Sequence, residues 1–380
     1  MLETAIARLA DLVAMPTVSA DPNRALIDRL AGDLAAIGAR IRIQGDAVKA
    51  NLVASFGPAV DGGIMLSGHT DVVPVAGQAW SVPPFALTER DGRLHGRGTA
   101  DMKGFIACVM AALPALVARP LAQPLHLVLT HDEEVGCLGA RALARLMAAE
   151  GPRPRLAIIG EPTGMRIVEG HKGCCEYRTE FHGLAGHGSD PARGVSAVEH
   201  AARYAAALIG LRGTLERRAP AHSRFHPPWT TLNIGRITGG EAANVIAEHA
   251  VIDWDLRPVQ PADLAFVLEA IDSHAAALQA GMRRVHPAAR ISRRTVGEVP
   301  PLLPGQANAA RDLVARLTGE NATGLVAFGT EAGIFQELGI DCVVCGPGEI
   351  AQAHMPDEFT TREQMARCLA MLQRLADHLA

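Results

Sequence analysis

Ile64-Met65-Leu66-Ser67-Gly68-His69-Thr70-Asp71 passes within one short stretch from an apolar run to an imidazole and a carboxylate. The same transition recurs twice. Leu125-His126-Leu127-Val128-Leu129-Thr130 runs into His131-Asp132-Glu133-Glu134, and Leu156-Ala157-Ile158-Ile159 runs into Gly160-Glu161-Pro162-Thr163. Short apolar runs of this kind read as buried strands, and an α/β sheet exposes its polar groups at the carboxyl ends of such strands. Solubility does not account for three acidic or imidazole clusters at three strand ends. They predict an α/β fold with a polar site along one sheet edge.

Outward from these stretches, Val/Ile/Leu runs alternate with Ala/Leu-rich segments of helical spacing over residues 40–165, notably 104–117 and 138–150. That alternation is expected of strands and crossover helices. Residues 3–14 and 24–37 predict two further helices, the first stopping at Met15-Pro16, since proline disfavours helix for the residue before it. The texture changes after Gly170. Residues 175–181, 231–237, 251–256 and 290–296 predict strands, and 195–211 and 261–280 predict helices. Their order, βαββαβ, is that of a small four-stranded sandwich. A helix at 306–318, strands at 325–328 and 340–344, and a helix at 361–379 return to the first texture. The expected organisation is a main domain built from residues 1–170 and 298–380, interrupted by an inserted domain at 171–297.

A chain of 380 residues is long for a single core, which fits two domains. Hydrophobic residues make up 48% and charged residues 20%, a globular composition. The net charge of -4 argues against a nucleic-acid partner, and the pairs Arg217-Arg218, Arg283-Arg284 and Arg293-Arg294 read as solvated faces. No apolar stretch approaches the ~18–20 residues that span a bilayer, and the N-terminus lacks a signal pattern. The expectation is a cytoplasmic protein without a membrane partner. Seven cysteines, an odd number, suit reduced thiols better than a disulfide framework. Cys342 and Cys345 have metal-pair spacing but lie in an apolar run without a second pair, so they read as packing. Cys174 and Cys175 are adjacent in a predicted strand and should point to opposite faces.

His69, Asp71, Asp101, Glu133, Glu134, Glu161 and His354 offer the ligand chemistry of a two-metal hydrolase. An imidazole binds an ion through one nitrogen while a nearby carboxylate holds the other ring N–H, which suits His69 as ligand and Asp71 as its orienting partner. Asp101 stands before a predicted helix, where it serves either as an N-cap or as a carboxylate bridging two cations. Glu133 and Glu134 repel each other unless a cation or proton separates them, which suggests that one coordinates and the other acts as a base. Oxygen and nitrogen ligands in this mixture suit zinc, with cobalt or manganese as alternatives. His126, His131, His249 and His378 have no partner pattern and read as surface or satisfied core residues.

The segments Glu161-Pro162-Thr163-Gly164, Gly170-His171-Lys172-Gly173, Gly186-His187-Gly188-Ser189-Asp190-Pro191, Gly239-Gly240-Glu241-Ala242-Ala243-Asn244, Asp255-Leu256-Arg257-Pro258, Gly329-Thr330-Glu331-Ala332 and Gly346-Pro347-Gly348-Glu349 resemble one family over nearly the whole chain. It is the acetylornithine deacetylase, succinyl-diaminopimelate desuccinylase, aminoacylase and carboxypeptidase group of co-catalytic zinc hydrolases, with the likeness strongest to its acetylornithine deacetylase branch. The resemblance implies an α/β, zinc-peptidase-like catalytic domain with a mixed central sheet flanked by helices. It implies that the βαββαβ, ferredoxin-like insertion is a lid and dimerisation domain of a homodimer. Two divalent ions would be shared by Asp101, with His69 and Glu161 completing one site and Glu134 and His354 the other. Glu133 would be the general base, and a cis peptide would join Asp101 to Met102.

The resemblance further implies that His187, carried on the lid, stabilises the oxyanion, in dimeric members across the subunit boundary. Asn244, Arg257, Gly329 and Thr330 match positions that hold the substrate. Arg257 is suited to an α-carboxylate through its planar fork, the alternative being a structural salt bridge. Met355, Ser189 and Ala243 read as packing or linker residues, and Cys174-Cys175-Glu176-Tyr177 departs from the plain strand entry expected after Gly173. The implied reaction is deacylation of a small N-acyl amino acid, Nα-acetyl-L-ornithine to L-ornithine and acetate in arginine biosynthesis. Alternatives are acetylcitrulline, succinyl-diaminopimelate, metallo-carboxypeptidase action, or a non-catalytic binding protein of the same fold.

Overall fold

A computed structural model describes every residue except Ala20, Pro152 and Ala380. The described chain divides into two compact units, one of Met1–Gly170, Pro304–Leu325 and Thr330–Ala380, the other of His171–Leu303 and Val326–Gly329.

The first unit is organised on an eight-stranded sheet with the order Arg40–Gly45, Ala50–Phe56, Leu125–Thr130, Ile64–His69, Leu156–Pro162, Asp341–Gly346, Ile167–His171 and Thr323–Val326. The sheet is mixed. Ile64–His69 pairs in parallel with both of its neighbours, and Asp341–Gly346 is parallel to Leu156–Pro162, whereas Ala50–Phe56 is antiparallel to Leu125–Thr130. Ile64–His69, Leu125–Thr130 and Leu156–Pro162 are buried at every position. Layers on both faces leave no polar alternation in such strands, which is why they read as continuous apolar runs.

Helices Leu2–Val13, Arg24–Ala36, Lys103–Leu116, Ala309–Thr318 and Arg362–Leu379 contribute to one continuous core with the sheet. Lys103–Leu116 lies deepest, with nearly every side chain buried, as expected of a helix that is apolar all round. Leu138–Glu150 packs with the short helix Ala332–Gln336. The helix predicted from residue 306 begins at Ala309, because the Asn308 side chain accepts from the Arg311 N–H at 3.0 Å and caps it. A small sheet of Phe359–Thr361, Arg93–His95 and Thr88–Arg90 was not anticipated, since three-residue strands are too short to show a period.

The second unit carries an antiparallel sheet ordered Thr231–Gly239, His249–Arg257, Cys174–His182 and Arg290–Val299. Helices Ala197–Arg217 and Pro261–Arg283 pack with it around Tyr177, Phe181, Tyr204, Ile252, Trp254 and Ile271. Burial alternates along the central strands, so one face meets the helices and the other does not. A ribbon of Gly186–His187 and Val245–Ile246 extends from these strands. No helix among the described residues is long and apolar enough to cross a membrane.

Candidate metal centre

Sheet order brings the strand-end residues together. His69 is the last residue of its strand, Glu161 lies within Leu156–Pro162, and Glu133 and Glu134 follow Leu125–Thr130. Asp101 is not the N-cap considered above: the helix begins at Lys103 with Met102 as its cap, after a cis Asp101–Met102 peptide. The two carboxylate oxygens of Asp101 are shared out. Oδ1 lies 2.9 Å from His69 Nε2, and Oδ2 lies 3.4 Å from His354 Nε2. Glu161 Oε1 is 3.7 Å from His69 Nε2, and Glu134 Oε2 is 2.9 Å from His354 Nε2. Two groups with ligand atoms within 4.8 Å result, His69, Asp101 and Glu161, and Asp101, Glu134 and His354.

The expected His69–Asp71 arrangement differs in its atoms. His69 Nδ1 lies 2.9 Å from the backbone carbonyl of Asp71 and 3.6 Å from its carboxylate. A carbonyl only accepts, so Nδ1 donates to it, and Nε2 is the ring nitrogen turned to Asp101 and Glu161. The Asp71 carboxylate instead accepts the backbone N–H groups of Glu133 and Glu134 at 3.1 and 3.3 Å, and the Ser19 hydroxyl at 2.7 Å. It therefore fixes the turn that carries the paired acids. Glu133 Oε1 accepts from the Cys137 thiol at 3.4 Å.

Buried acids and imidazoles crowd one another in this cluster: despite burial, Glu161, Asp101 and Asp71 raise the His69 pKa well above its ordinary value, and bonds to Asp101 and Glu134 push His354 up to about 10. Burial pushes Glu133 up to about 8, opposed by His69 and reinforced by Glu134 and Asp101. Burial and the Asp101 charge raise Glu134 and, more strongly, Glu161. Asp101 is held below its ordinary value despite burial, because His354 and His69 bond to it. Glu161 Oε1 is buried without a hydrogen-bond partner, a costly state for a carboxylate. Converging imidazoles, clustered buried carboxylates and an orphaned oxygen form a donor set that fits divalent cations.

Two unassigned acids support this arrangement. Glu358 is buried and accepts from the backbone of Gly98, Ala100 and Asp101 at 3.1, 2.9 and 3.1 Å and from Arg97 at 2.7 Å, which holds the Asp101 loop. Glu331 is buried and accepts from Ser67 at 2.5 Å and Thr130 at 2.7 Å, one residue on each of two adjacent strands. An acid opening the apolar run Ala332-Gly333-Ile334-Phe335 was a usable signal for Glu331. Nothing in the sequence marks Glu358. Thr330 is buried, and its hydroxyl accepts from the Ala332 N–H at 3.1 Å.

The remaining predicted residues lie in the second unit. The ribbon places His187 opposite Val245, and the Gly188 N–H donates to the Asn244 carbonyl at 2.7 Å, so His187 and Asn244 are neighbours. Ser189, read above as a packing or linker residue, donates its backbone N–H to His187 Nδ1 at 3.2 Å, and its Oγ lies 2.7 Å from that nitrogen. In the neutral imidazole Nδ1 is then the acceptor and Nε2 carries the proton. Arg257 is elsewhere on the sheet, 3.4 Å from Asp255 and 4.0 Å from Glu176, a loose pairing for a guanidinium. A Cβ at Gly329 would meet Cys174 Cβ at 3.0 Å. Cys342 and Cys345 are fully buried.

Residues 65–378 match peptidase family M20/M25/M40, and the chain belongs to this family. It is a metal-dependent amidohydrolase. Curated relatives include the acetylornithine deacetylases of Yersinia pseudotuberculosis, 37% identical over 97% of this chain and 95% of that one, and of Pasteurella multocida, 37% identical over 96% and 95%. That of Edwardsiella ictaluri is 35% identical over 99% and 98%. Among solved structures, an M20 family metallo-carboxypeptidase from Sulfolobus solfataricus superposes with a TM-score of 0.78 at 16% identity over 98% of both chains. A dinuclear metal-binding M20 peptidase from Bacillus subtilis superposes with a TM-score of 0.65 at 18% identity, covering 100% of this chain and 98% of that one. At these identities the structures establish the fold alone.

Proposed function

We propose that the protein removes the acyl group from an N-acyl amino acid, with Nα-acetyl-L-ornithine as substrate and L-ornithine and acetate as products. The observation that carries this reading is the Asp101 carboxylate, which offers one oxygen to each of two ligand groups beside Glu133. The likeness to acetylornithine deacetylases supports the choice of substrate. His69, Asp101 and Glu161 would hold one divalent ion, and Asp101, Glu134 and His354 a second, with zinc suited to the donor set and cobalt an alternative. When bound, such ions polarise the acyl carbonyl and lower the pKa of water.

Glu133 takes the proton from the attacking water and delivers it to the departing amine. Its pKa is raised first by burial and then by the neighbouring acids, and a nearby cation acts in the opposite direction. Asp71 keeps Glu133 and Glu134 in register through their backbone N–H groups. His187 donates from Nε2 to the oxyanion as the carbonyl becomes tetrahedral, an assignment supported by the tautomer its Nδ1 contacts select. Arg257, loosely paired in the free protein, receives the α-carboxylate, and Asn244, Gly329 and Thr330 line the substrate. We infer a homodimer formed through the second unit.

A panel of substrates tests the reading: Nα-acetylornithine, its α-carboxamide form, N-acetylcitrulline, succinyl-diaminopimelate and short peptides, each with zinc- and cobalt-loaded protein. The expected result is the highest kcat/KM for Nα-acetylornithine and near-complete loss for the carboxamide. Faster turnover of peptides, or equal turnover of carboxylate and carboxamide, would replace the deacylase reading with a peptidase one.

A further inference from the structure

On the sheet of the second unit, the face turned from the helices carries Glu180, His182 and His249. His249 and His182 are direct cross-strand partners, with ring centroids 4.8 Å apart. Glu180 precedes His182 by two positions and shares its face. Glu180 Oε2 is 3.7 Å from His182 Nε2, and one ligand atom from each of the three lies within 4.8 Å of the others. An ion bound at ~2.0–2.2 Å in a tetrahedral arrangement separates its ligands by roughly 3.3–3.6 Å. Small rotations about the side-chain torsions close that difference. A groove of ≈ 450 Å³ lies alongside, lined by His182 and His249 together with Glu241 and Glu248. It leaves room for water ligands and adds negative charge. Arg290, the partner of His182 on the other side, is exposed and can extend into solvent.

We propose that Glu180, His182 and His249 form a further metal site, built wholly within the second unit, for a single borderline divalent ion such as zinc. Two imidazoles and one carboxylate supply three protein ligands of the type that zinc accepts, with water completing the shell. The position has a mechanical consequence. The strand Cys174–His182 ends at His182 shortly before the ribbon strand Gly186–His187, and His249–Arg257 begins just after Val245–Ile246. An ion held by His182 and His249 ties the two strands together at the root of the ribbon that presents His187 and Asn244. The binding site stands on its own geometry, whereas the effect on His187 rests on the function proposed above.

The test is equilibrium dialysis of the metal-loaded protein against increasing zinc, with bound metal per chain and Tm measured for wild type and a His182→Ala/His249→Ala double variant. Wild type is expected to bind one equivalent more than the variant, and its Tm to rise over that added equivalent while that of the variant does not. Glu180→Gln should weaken the added equivalent by more than about tenfold, the effect of perturbing even an outer ligand. The readout is a difference of one equivalent, so it does not depend on how many ions the first unit holds. Equal stoichiometry in wild type and the double variant up to about 1 mM zinc overturns the proposal. A His182→Gln/His249→Gln variant repeats the comparison should the alanine form fail to fold.

Discussion

At the scale of single residues, charge decides what the strand ends can do. Asp101, Glu133, Glu134 and Glu161 converge in a space where burial disfavours every one of their charges, an arrangement that protons or cations relieve. The proposed division of labour separates Glu133 from the rest. Glu133→Gln is expected to keep near-normal metal content while kcat falls by about 10²–10⁴, since the amide preserves shape but accepts no proton. Metal analysis beside steady-state kinetics checks it, and wild-type turnover in the metal-loaded variant would move the base elsewhere. The sequence displayed Glu133, Glu134 and Glu161 because each comes just after an apolar run, and Asp101 because it precedes a predicted helix. Glu358 stayed hidden, because its three backbone donors Gly98, Ala100 and Asp101 come from a distant segment. His249 was read as solitary for the same reason: its partner His182 arrives only through cross-strand pairing.

At the scale of elements, close packing behind the site sets what the strands tolerate. A Cβ at Gly160 would fall 2.0 Å from the ring of Phe105 on the helix Lys103–Leu116. Gly160→Ala should therefore destabilise the protein by about 1–3 kcal/mol through overpacking, read as a lower denaturation midpoint. An unchanged midpoint would mean that Phe105 moves freely. Two strands away in the same sheet, His126 is buried with Nδ1 2.8 Å from Ser55 Oγ, and burial, with Arg40 nearby, lowers its pKa to about 4. A histidine kept neutral in the fold stabilises fully above its unfolded pKa of about 6.5, and that contribution is lost as pH falls toward about 4. The slope is at most about 1.4 kcal/mol per pH unit. Urea titrations across this window should show His126→Leu less acid-sensitive than wild type, and identical slopes would refute the buried neutral state. Strand 125–130 and helix 138–150 were legible residue for residue, because their apolar runs have clear ends. The small sheet around Arg93–His95 was not, since its pairing depends on Phe359–Thr361, far along the chain.

At the scale of the molecule, residues of both units enter the proposed reaction. If His187 acts across a homodimer, mixing His187→Ala with Glu133→Gln protein should recover about a quarter of wild-type activity at equal ratio. Half of the dimers are then hybrids with one intact site each. Absence of recovery, with subunit exchange demonstrated separately, would place donation within one chain. The order of the main sheet has a different consequence. Asp341–Gly346 lies between Leu156–Pro162 and Ile167–His171, so a ribosome must make the whole second unit before those two strands gain their common neighbour. The second unit draws most of its residues from one continuous stretch and can close on the nascent chain while the earlier strands still have open edges. Unpaired edges invite association with other chains, so the interval of translation between Ile167–His171 and Asp341–Gly346 is when the growing polypeptide most needs chaperone protection.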